Sequence, residues 1–286
     1  MEEIINRAKI LMEALPYIKG YYGKTVVIKY GGKAMEEENL KETVASDIVL
    51  MKYVGINPIV VHGGGPEITR YMEKMGKEVK FVDGLRVTDK ETMELVKMVL
   101  VDKINKEIVS LINRHGKIAF GVSGDDAGLI IARKQKHTLH DLGYVGEVER
   151  INTKVLDDLI TNGFTPVIAT VGIGKDGESY NINADFVAAE IALAIKADKI
   201  IFLTDVDGIY RDFEDKSSLI SELTLTQCQE MIKDDLISEG MLPKVKACVT
   251  ALESGVKRAH ILNGTILHVL LLEIFTNEGI GTMITS

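Results

Sequence analysis

Lys29, Arg86 and two clusters of glycine are the residues whose types and spacing point to chemistry. Lys29 lies in Thr25-Val-Val-Ile-Lys-Tyr30, a run otherwise apolar or aromatic after its first residue, and Gly31-Gly32 follows at once. A lysine in such a strand usually snorkels at an edge. Placed before a glycine pair, it projects instead beside an anion-binding turn. A second apolar run, Asn57-Pro-Ile-Val-Val-His62, ends in Gly63-Gly64-Gly65. Glycine turns between strand and helix expose backbone N–H groups, and the helix dipole adds partial positive charge, so both favour anions. Tight turning alone explains one such cluster. Two of them in the first 65 residues, one beside a lysine, argue for a phosphate or carboxylate ligand. Arg86, in Gly84-Leu-Arg-Val-Thr-Asp89, stands between a glycine and a helix start. Its planar fork suits a bidentate grip on a carboxylate, although an ordinary surface arginine reads the same way. Asn181-Ile-Asn-Ala-Asp185 opens a helix. Capping and the dipole explain Asn183 and Asp185, but not Asn181, which falls outside the helix.

Two other motifs do not hold. Gly172-Ile-Gly-Lys-Asp-Gly177 is a literal GxGxxG after a strand, but Lys175-Asp-Gly177 reads as a turn and the next helix waits until about 183. In a dinucleotide site the helix begins inside the glycine run, with an acidic residue about 20 positions on; Asp205 lies 28 beyond Gly177. Gly23-Lys-Thr25 has Ile18 where a phosphate-binding loop needs glycine, and its strand comes after it rather than before.

The elements that must position these residues alternate. Ile4, Ala8, Leu11 and Leu15 predict an amphipathic helix over 2–15, ended by Pro16. Strands are expected at 25–30, 57–62, 118–122, 128–132, 165–171, 199–204 and 258–262, with a hairpin-like polar stretch from 137 to 149. Helices are expected after Gly32 with Leu40, Val44, Ile48 and Met51 on one face, after Gly65 with Ile68, Met72 and Met75, and over 89–114. Further helices are read at 152–162, 183–196, 224–234 and 243–254, before a short final helix and strand. Pro66 suits a first helical turn. This alternation predicts an α/β protein, a three-layer αβα sandwich with a mostly parallel central sheet in two lobes. The polar stretch 174–183 is the expected boundary between them.

Composition sets the outer limits. Of 286 residues, 46% are hydrophobic and 27% charged, which excludes a disordered chain. A net charge of −8 argues against non-specific nucleic-acid binding, while leaving room for a local cationic pocket. Cys228 and Cys248 show no metal-ligand spacing and read as free thiols of a reducing compartment. The acidic start is unlike a signal peptide and no run is long enough to span a membrane, so a cytoplasmic protein is expected.

In this order, Lys29-Tyr-Gly-Gly32, His62-Gly-Gly-Gly65, Gly84-Leu-Arg-Val-Thr-Asp89, Tyr180-Asn-Ile-Asn-Ala-Asp185, Thr204-Asp-Val-Asp-Gly208 and Glu239-Gly-Met-Leu-Pro-Lys-Val245 closely resemble the acetylglutamate kinases of the amino acid kinase family, essentially end to end. The glycine elements are family-wide; the arginine, Asn-x-Asn-Ala-Asp and late Gly-Met-x-x-Lys elements narrow the match. The resemblance implies an ATP-dependent phosphorylation of the γ-carboxylate of N-acetyl-L-glutamate, an early step of arginine biosynthesis. A carboxylate nucleophile needs no general base, so positioning and charge stabilisation carry the reaction. No convincing Ser-His-Asp or Cys-His set is present. By the same resemblance Lys29 and Lys244 flank the transferring phosphoryl group and Asp185 orients both lysines. Gly64, Gly65, Arg86 and Asn181 hold acetylglutamate. Gly31, Gly32, Thr204, Asp205, Gly208, Tyr210 and Ser238 hold ATP. Asp205 and Asp207 look like metal ligands by composition, but the resemblance favours nucleotide contact there, with Mg²⁺ carried by the nucleotide and no protein metal site.

Forms that share the first helix interlace it with a neighbour, as a hexamer built of three dimers, and are inhibited by L-arginine. Tyr17, His268, Glu278 and Gly281 match that effector region. The implied organisation is an oligomerisation helix (1–16), an acetylglutamate lobe (17–180) and an ATP lobe (181–286). A nitrogen-signalling regulatory protein is a further partner such forms can have. Asp125, Ala127, Thr170 and Lys33 depart from residues common in relatives (lysine, glycine, proline and asparagine). The alternatives are a kinase for another amino acid and a catalytically silent arginine sensor; retention of Lys29, Asp185 and Lys244 argues against silence.

Overall fold

Continuous apolar runs make the centre of the sheet, because parallel strands are covered on both faces. The computed structural model describes residues 1–286 except 213, 239 and 278, and among the remainder all side chains but those of Glu2, Glu3 and Arg7. Its main sheet comprises β1 (Thr25–Tyr30), β2 (Asn57–His62), β3 (Ala119–Ser123), β4 (Thr165–Ala169), β5 (Lys199–Thr204), β6 (Glu222–Thr224), β7 (Arg258–Asn263) and β8 (Thr282–Thr285). The order across the sheet is β6-β8-β7-β5-β1-β2-β4-β3. Every neighbouring pair is parallel except β7 with β8.

Among the described residues ten α-helices complete the layers: α1 (Glu2–Tyr21), α2 (Glu38–Tyr53), α3 (Gly65–Lys74), α4 (Lys90–Lys97), α5 (Lys106–His115), α6 (Thr153–Thr161), α7 (Ala184–Ala194), α8 (Leu225–Lys233), α9 (Leu242–Glu253) and α10 (Val269–Phe275). Strand alternation assigns the faces. Val26 and Ile28 pack with α2, α3, α4, α5 and α10 in one core. Val27 packs with α6, α7, α8 and α9 in the other. The chain runs outward from β1 through β2 in one direction and from β5 through β7 in the other. The carboxyl ends of β1 and β5 therefore border a topological switch point, where open α/β sheets bind ligands.

The GxGxxG stretch is a hairpin. Val171–Gly174 pairs antiparallel with Ser179–Asn181 across a turn at Gly177 (φ +80°), within a second, four-stranded sheet that includes Ile130–Lys134 and Gly146–Ile151. Three expectations need correction. The first helix does not end at Pro16 but continues to Tyr21; Tyr21 packs against the core and Lys199 Nζ lies 5.3 Å from its ring centroid, so tertiary contacts hold the final turn. Met75 does not join the apolar face of α3; it is the exposed residue after it. The expected helix over 89–114 contains a π-helical segment, Met98–Asn105, between α4 and α5.

Candidate functional site

Alternation along β1 puts Lys29 on the same face as Val27, toward α7 and α9. The helix N-termini on that face supply its partners. Asn183 caps α7 by accepting from the Asp185 N–H (2.8 Å), which sets Asp185 in the first turn. Pro243 occupies the first turn of α9, with Lys244 next to it. Lys29 Nζ lies 3.0 Å from Asp185 Oδ1, and Lys244 Nζ donates to Asp185 Oδ2 at 3.4 Å. Asp185 is only 5% exposed. Burial opposes its charge, but the two lysines outweigh it and hold the carboxyl below its ordinary pKa. One carboxylate against two ammonium groups leaves a net positive charge at the switch point. At Gly31 and Gly32 an added Cβ would displace site side chains: on Gly31 it would fall 2.4 Å from Lys29 Nζ, and on Gly32, whose φ of +70° itself favours glycine, 2.2 Å from Asp205 Oδ1.

A cavity of about 710 Å³ opens from Lys29 and Asp185. Gly64, Gly65, Arg86 and Asn181 all line it, so the structure brings together the residues expected to hold the acceptor. Arg86, on its wall, is buried. Its guanidinium donates to the Gly65 carbonyl (2.9 Å) and Thr69 Oγ1 (2.7 Å), and lies over the Phe81 ring at 4.7 Å. Among the described residues no carboxylate forms an ion pair with it, and burial pulls its pKa down. A buried cation without a counter-charge is costly. Asn181 Nδ2 donates to Thr88 Oγ1 at 3.2 Å, on the strand next to α7. Sequence reasoning assigned no role to Glu67 and Lys103, which form an ion pair on the cavity wall; their charge complementarity is visible only once α3 and the π segment meet.

Of the residues expected at the nucleotide, Gly31 and Gly32 line that cavity, whereas Thr204, Asp205, Gly208, Tyr210 and Ser238 do not. Thr204 ends β5, and the Asp205 carboxylate accepts from the Lys33 N–H. Asp207 accepts from Tyr210 Oη (2.6 Å) and Asn263 Nδ2 (2.7 Å), so it is engaged within the protein. Gly208 meets Thr282 Oγ1, 2.4 Å from where a Cβ would stand. Exposed Ser238 turns the chain into α9, its carbonyl accepting from Met241 and Leu242 N–H groups. Of the expected effector residues, Tyr17 lines a cleft with Lys199 and Arg258. His268 instead donates from Nδ1 to the buried Asp47 (2.7 Å), and Gly281 (φ +76°) stands against Asp207 and Ile261 carbonyls. Glu278 lies outside the described residues, as does Glu239 of the late motif. Among the departures, Asp125 pairs with Lys97 at 2.9 Å, and Ala127 adopts a left-handed conformation (φ +49°) where glycine carries no steric cost.

The sheet order sets the lysine–aspartate–lysine cluster and the cavity lined by Arg86 at a topological switch point, the place where α/β enzymes carry their sites. The chain belongs to the amino acid kinase family, whose model matches residues 24–263. It is 57% identical to the acetylglutamate kinase of Caldanaerobacter subterraneus subsp. tengcongensis, over 98% of this chain and 93% of that one. It is 54% identical to the acetylglutamate kinase of Halothermothrix orenii, over 99% of each. At that identity over nearly its full length it is a kinase of the acetylglutamate kinase group. A solved N-acetylglutamate synthase from Neisseria gonorrhoeae, complexed with coenzyme A and N-acetyl-glutamate, superposes with a TM-score of 0.87 at 26% identity; the match covers 98% of this chain and 63% of the synthase.

Proposed function

We propose that this protein transfers the γ-phosphoryl group of ATP to the γ-carboxylate of N-acetyl-L-glutamate. A carboxylate oxygen forms the new P–O bond, the bond to the β-phosphate oxygen breaks, and ADP leaves with that electron pair. The observation that carries the reading is the geometry: Lys29 and Lys244 on one buried aspartate, and a cavity lined by Lys29, Asp185 and an Arg86 that forms no ion pair with a carboxylate among the described residues. Arg86 and Asn181 hold the α-carboxylate and acetamido end. The N–H groups at Gly64 and Gly65 meet the γ-carboxylate. The lysines neutralise charge as two anions approach, which is the main electrostatic demand of this reaction. Asp185 fixes both ammonium groups and takes no proton.

ATP is assigned to Gly31, Gly32, Thr204 to Tyr210 and Ser238, so that residues 17–180 form the acceptor lobe and 181–286 the nucleotide lobe. Mg²⁺ arrives with the nucleotide and neutralises phosphate charge; among the described residues no group of three His, Cys, Asp or Glu side chains gathers to hold a metal. Glycine N–H groups and the two lysines are the protein's share.

The exposed apolar side chains of α1, Ile4, Ile5, Ile10, Leu11 and Met12, support its role as an interlacing helix of a hexamer. The cleft between Tyr17 and Arg258 supports an L-arginine site at its root. A second solved complex of the Neisseria synthase, with coenzyme A and L-arginine, matches this chain at a TM-score of 0.82 and 27% identity. A nitrogen-signalling regulator remains a proposed further partner.

The test is ADP release from ATP–Mg²⁺ with N-acetyl-L-glutamate, L-glutamate or L-aspartate, each with and without L-arginine. Turnover of acetylglutamate alone, suppressed by arginine, is expected. Turnover of another acceptor overturns the substrate assignment. A chain lacking residues 1–16 that still elutes as a hexamer and still responds to arginine overturns the role of α1.

A further inference from the structure

His62 and Asn105 are buried, polar, adjacent to the acceptor site and unused by the mechanism above. His62 is the last residue of β2 and immediately precedes Gly63-Gly64-Gly65; it has no solvent exposure. Its Nδ1 lies 3.0 Å from the Gly63 carbonyl and its Nε2 3.1 Å from Asn105 Nδ2. Asn105 ends the π segment, and the same Nδ2 donates to the Val167 carbonyl of β4 at 2.9 Å. These partners settle the protonation pattern. A carbonyl only accepts, so the Asn105 amide must present its NH₂ toward Val167 and His62. His62 Nε2 is therefore the acceptor, and Nδ1–H is the donor to Gly63. The ring must be neutral, and burial agrees by drawing its pKa down to about 4.

The π segment presses on the glycine loop directly. A Cβ on Gly64 would stand 2.4 Å from Ile104 Cδ1 and 2.7 Å from Leu100 Cδ2. Ile104, Leu100 and Lys103 of the segment also line the acceptor cavity. On the sheet side, a Cβ on Gly121 would fall 2.1 Å from Asn105 Oδ1, so β3 carries glycine where the amide seats. Mid-helix π turns frequently mark functional positions. This one places Asn105 where a single amide joins the segment, the sheet and the residue before the glycine loop.

The geometry points to His62 and Asn105 as a positioning pair: their hydrogen bond locks the π segment against Gly64 and so fixes the Gly63–Gly65 N–H groups at the acceptor carboxylate. This rests on the functional reading above. Misplacing a reacting group by about 1 Å costs on the order of 10²-fold, and that is the scale expected here.

The test compares the native chain with Asn105→Ala, His62→Leu, His62→Gln and a core control, Leu156→Ala, buried in α6 on the opposite face of the sheet. Asn105→Ala and His62→Leu should lower kcat/KM for acetylglutamate by about 10²-fold, with KM for ATP little changed. His62→Gln, whose amide oxygen accepts from Asn105, should recover most of that loss. Leu156→Ala should lower Tm and leave both constants near native. Amide exchange across residues 63–72 reads the same coupling without substrate: it should quicken by about tenfold in Asn105→Ala and stay native in Leu156→Ala. Asn105→Ser, too short to reach Nε2, substitutes if either larger change prevents folding. Native kinetics and exchange in Asn105→Ala or Asn105→Ser, or His62→Gln no better than His62→Leu, overturns the proposal. A native chain inactive on acetylglutamate refutes the functional reading instead, and the exchange experiment still decides the positioning pair.

Discussion

Replacing Arg86 by alanine should separate ligand recognition from folding. The guanidinium holds two charge-assisted hydrogen bonds inside the protein, to the Gly65 carbonyl and Thr69 Oγ1, together worth about 3–6 kcal/mol. Against this stands a buried cation with no ion-paired carboxylate among the described residues, whose desolvation costs several kcal/mol by order of magnitude. The two contributions oppose each other, so the ligand-free Tm should move by only a few degrees. Binding behaves differently. A bidentate, charge-assisted pair with the ligand α-carboxylate is worth roughly 3–4 kcal/mol, and its loss raises Kd by about 10²–10³-fold. At acetylglutamate 100-fold above the native Kd, the native chain gains about 2.7 kcal/mol, or roughly 5 °C in Tm. At the same concentration, a variant with Kd raised 100-fold gains about 0.4 kcal/mol, under about 1 °C. Thermal unfolding with and without acetylglutamate reads both numbers, and steady-state KM gives an independent check. Arg86→Lys keeps the charge but loses the fork and should fall between. A ligand-induced shift in Arg86→Ala equal to the native one would refute the reasoning, whatever the change in ligand-free Tm.

Lys29→Ala and Lys244→Ala should each lower kcat by about 10²–10³-fold while raising KM for acetylglutamate far less, since their charge is needed most as the phosphoryl group transfers; steady-state kinetics with a KM effect larger than the kcat effect would reverse the roles. Ala127→Gly should raise Tm by about 1–2 °C, because relief of the left-handed strain at φ +49° exceeds the added unfolded-state entropy. Asp47 is buried on α2 and accepts from His268; burial pushes its carboxyl up to about 6, against the pull of His268 and the Leu270 and Leu271 N–H groups. A folded-state pKa above the unfolded one means stability that is present below pH 4 and lost as pH rises through 6. Asp47→Asn stays neutral throughout, so its stability relative to the native chain should rise by about 2–3 kcal/mol between pH 4 and 7 in denaturant titrations.

Much of the scaffold was legible because its signals are local. The runs at 25–30, 57–62 and 199–204 became strands at those bounds, since apolar residues on both faces leave little alternative to a covered parallel strand. Lys29 and the glycines after it were legible for the opposite reason: a charge and two missing side chains break a pattern that would otherwise continue. Pro16 misled, because the contacts that carry α1 past it come from Lys199 and the core, far away in sequence. The π segment was hidden, since its apolar spacing matches an α-helix to within one residue. His62 and Asn105 gave only partial signals. A histidine closing a buried strand and an asparagine on a buried helical face each look like ordinary core polar residues until the fold sets them 3.1 Å apart. Arg86 was visible as a fork for a carboxylate, but its lack of an ion-paired carboxylate among the described residues, the property on which its proposed binding role rests, belongs to the tertiary structure alone.

Trapping the product with hydroxylamine tests the central claim most directly. An acyl phosphate at the γ-position is captured as the γ-hydroxamate, with inorganic phosphate released. The account predicts hydroxamate in step with ADP when acetylglutamate and ATP–Mg²⁺ are supplied, and none with Lys29→Ala beyond its residual ADP release. ADP formed without hydroxamate would mean that water, not the carboxylate, accepts the phosphoryl group, and would contradict it.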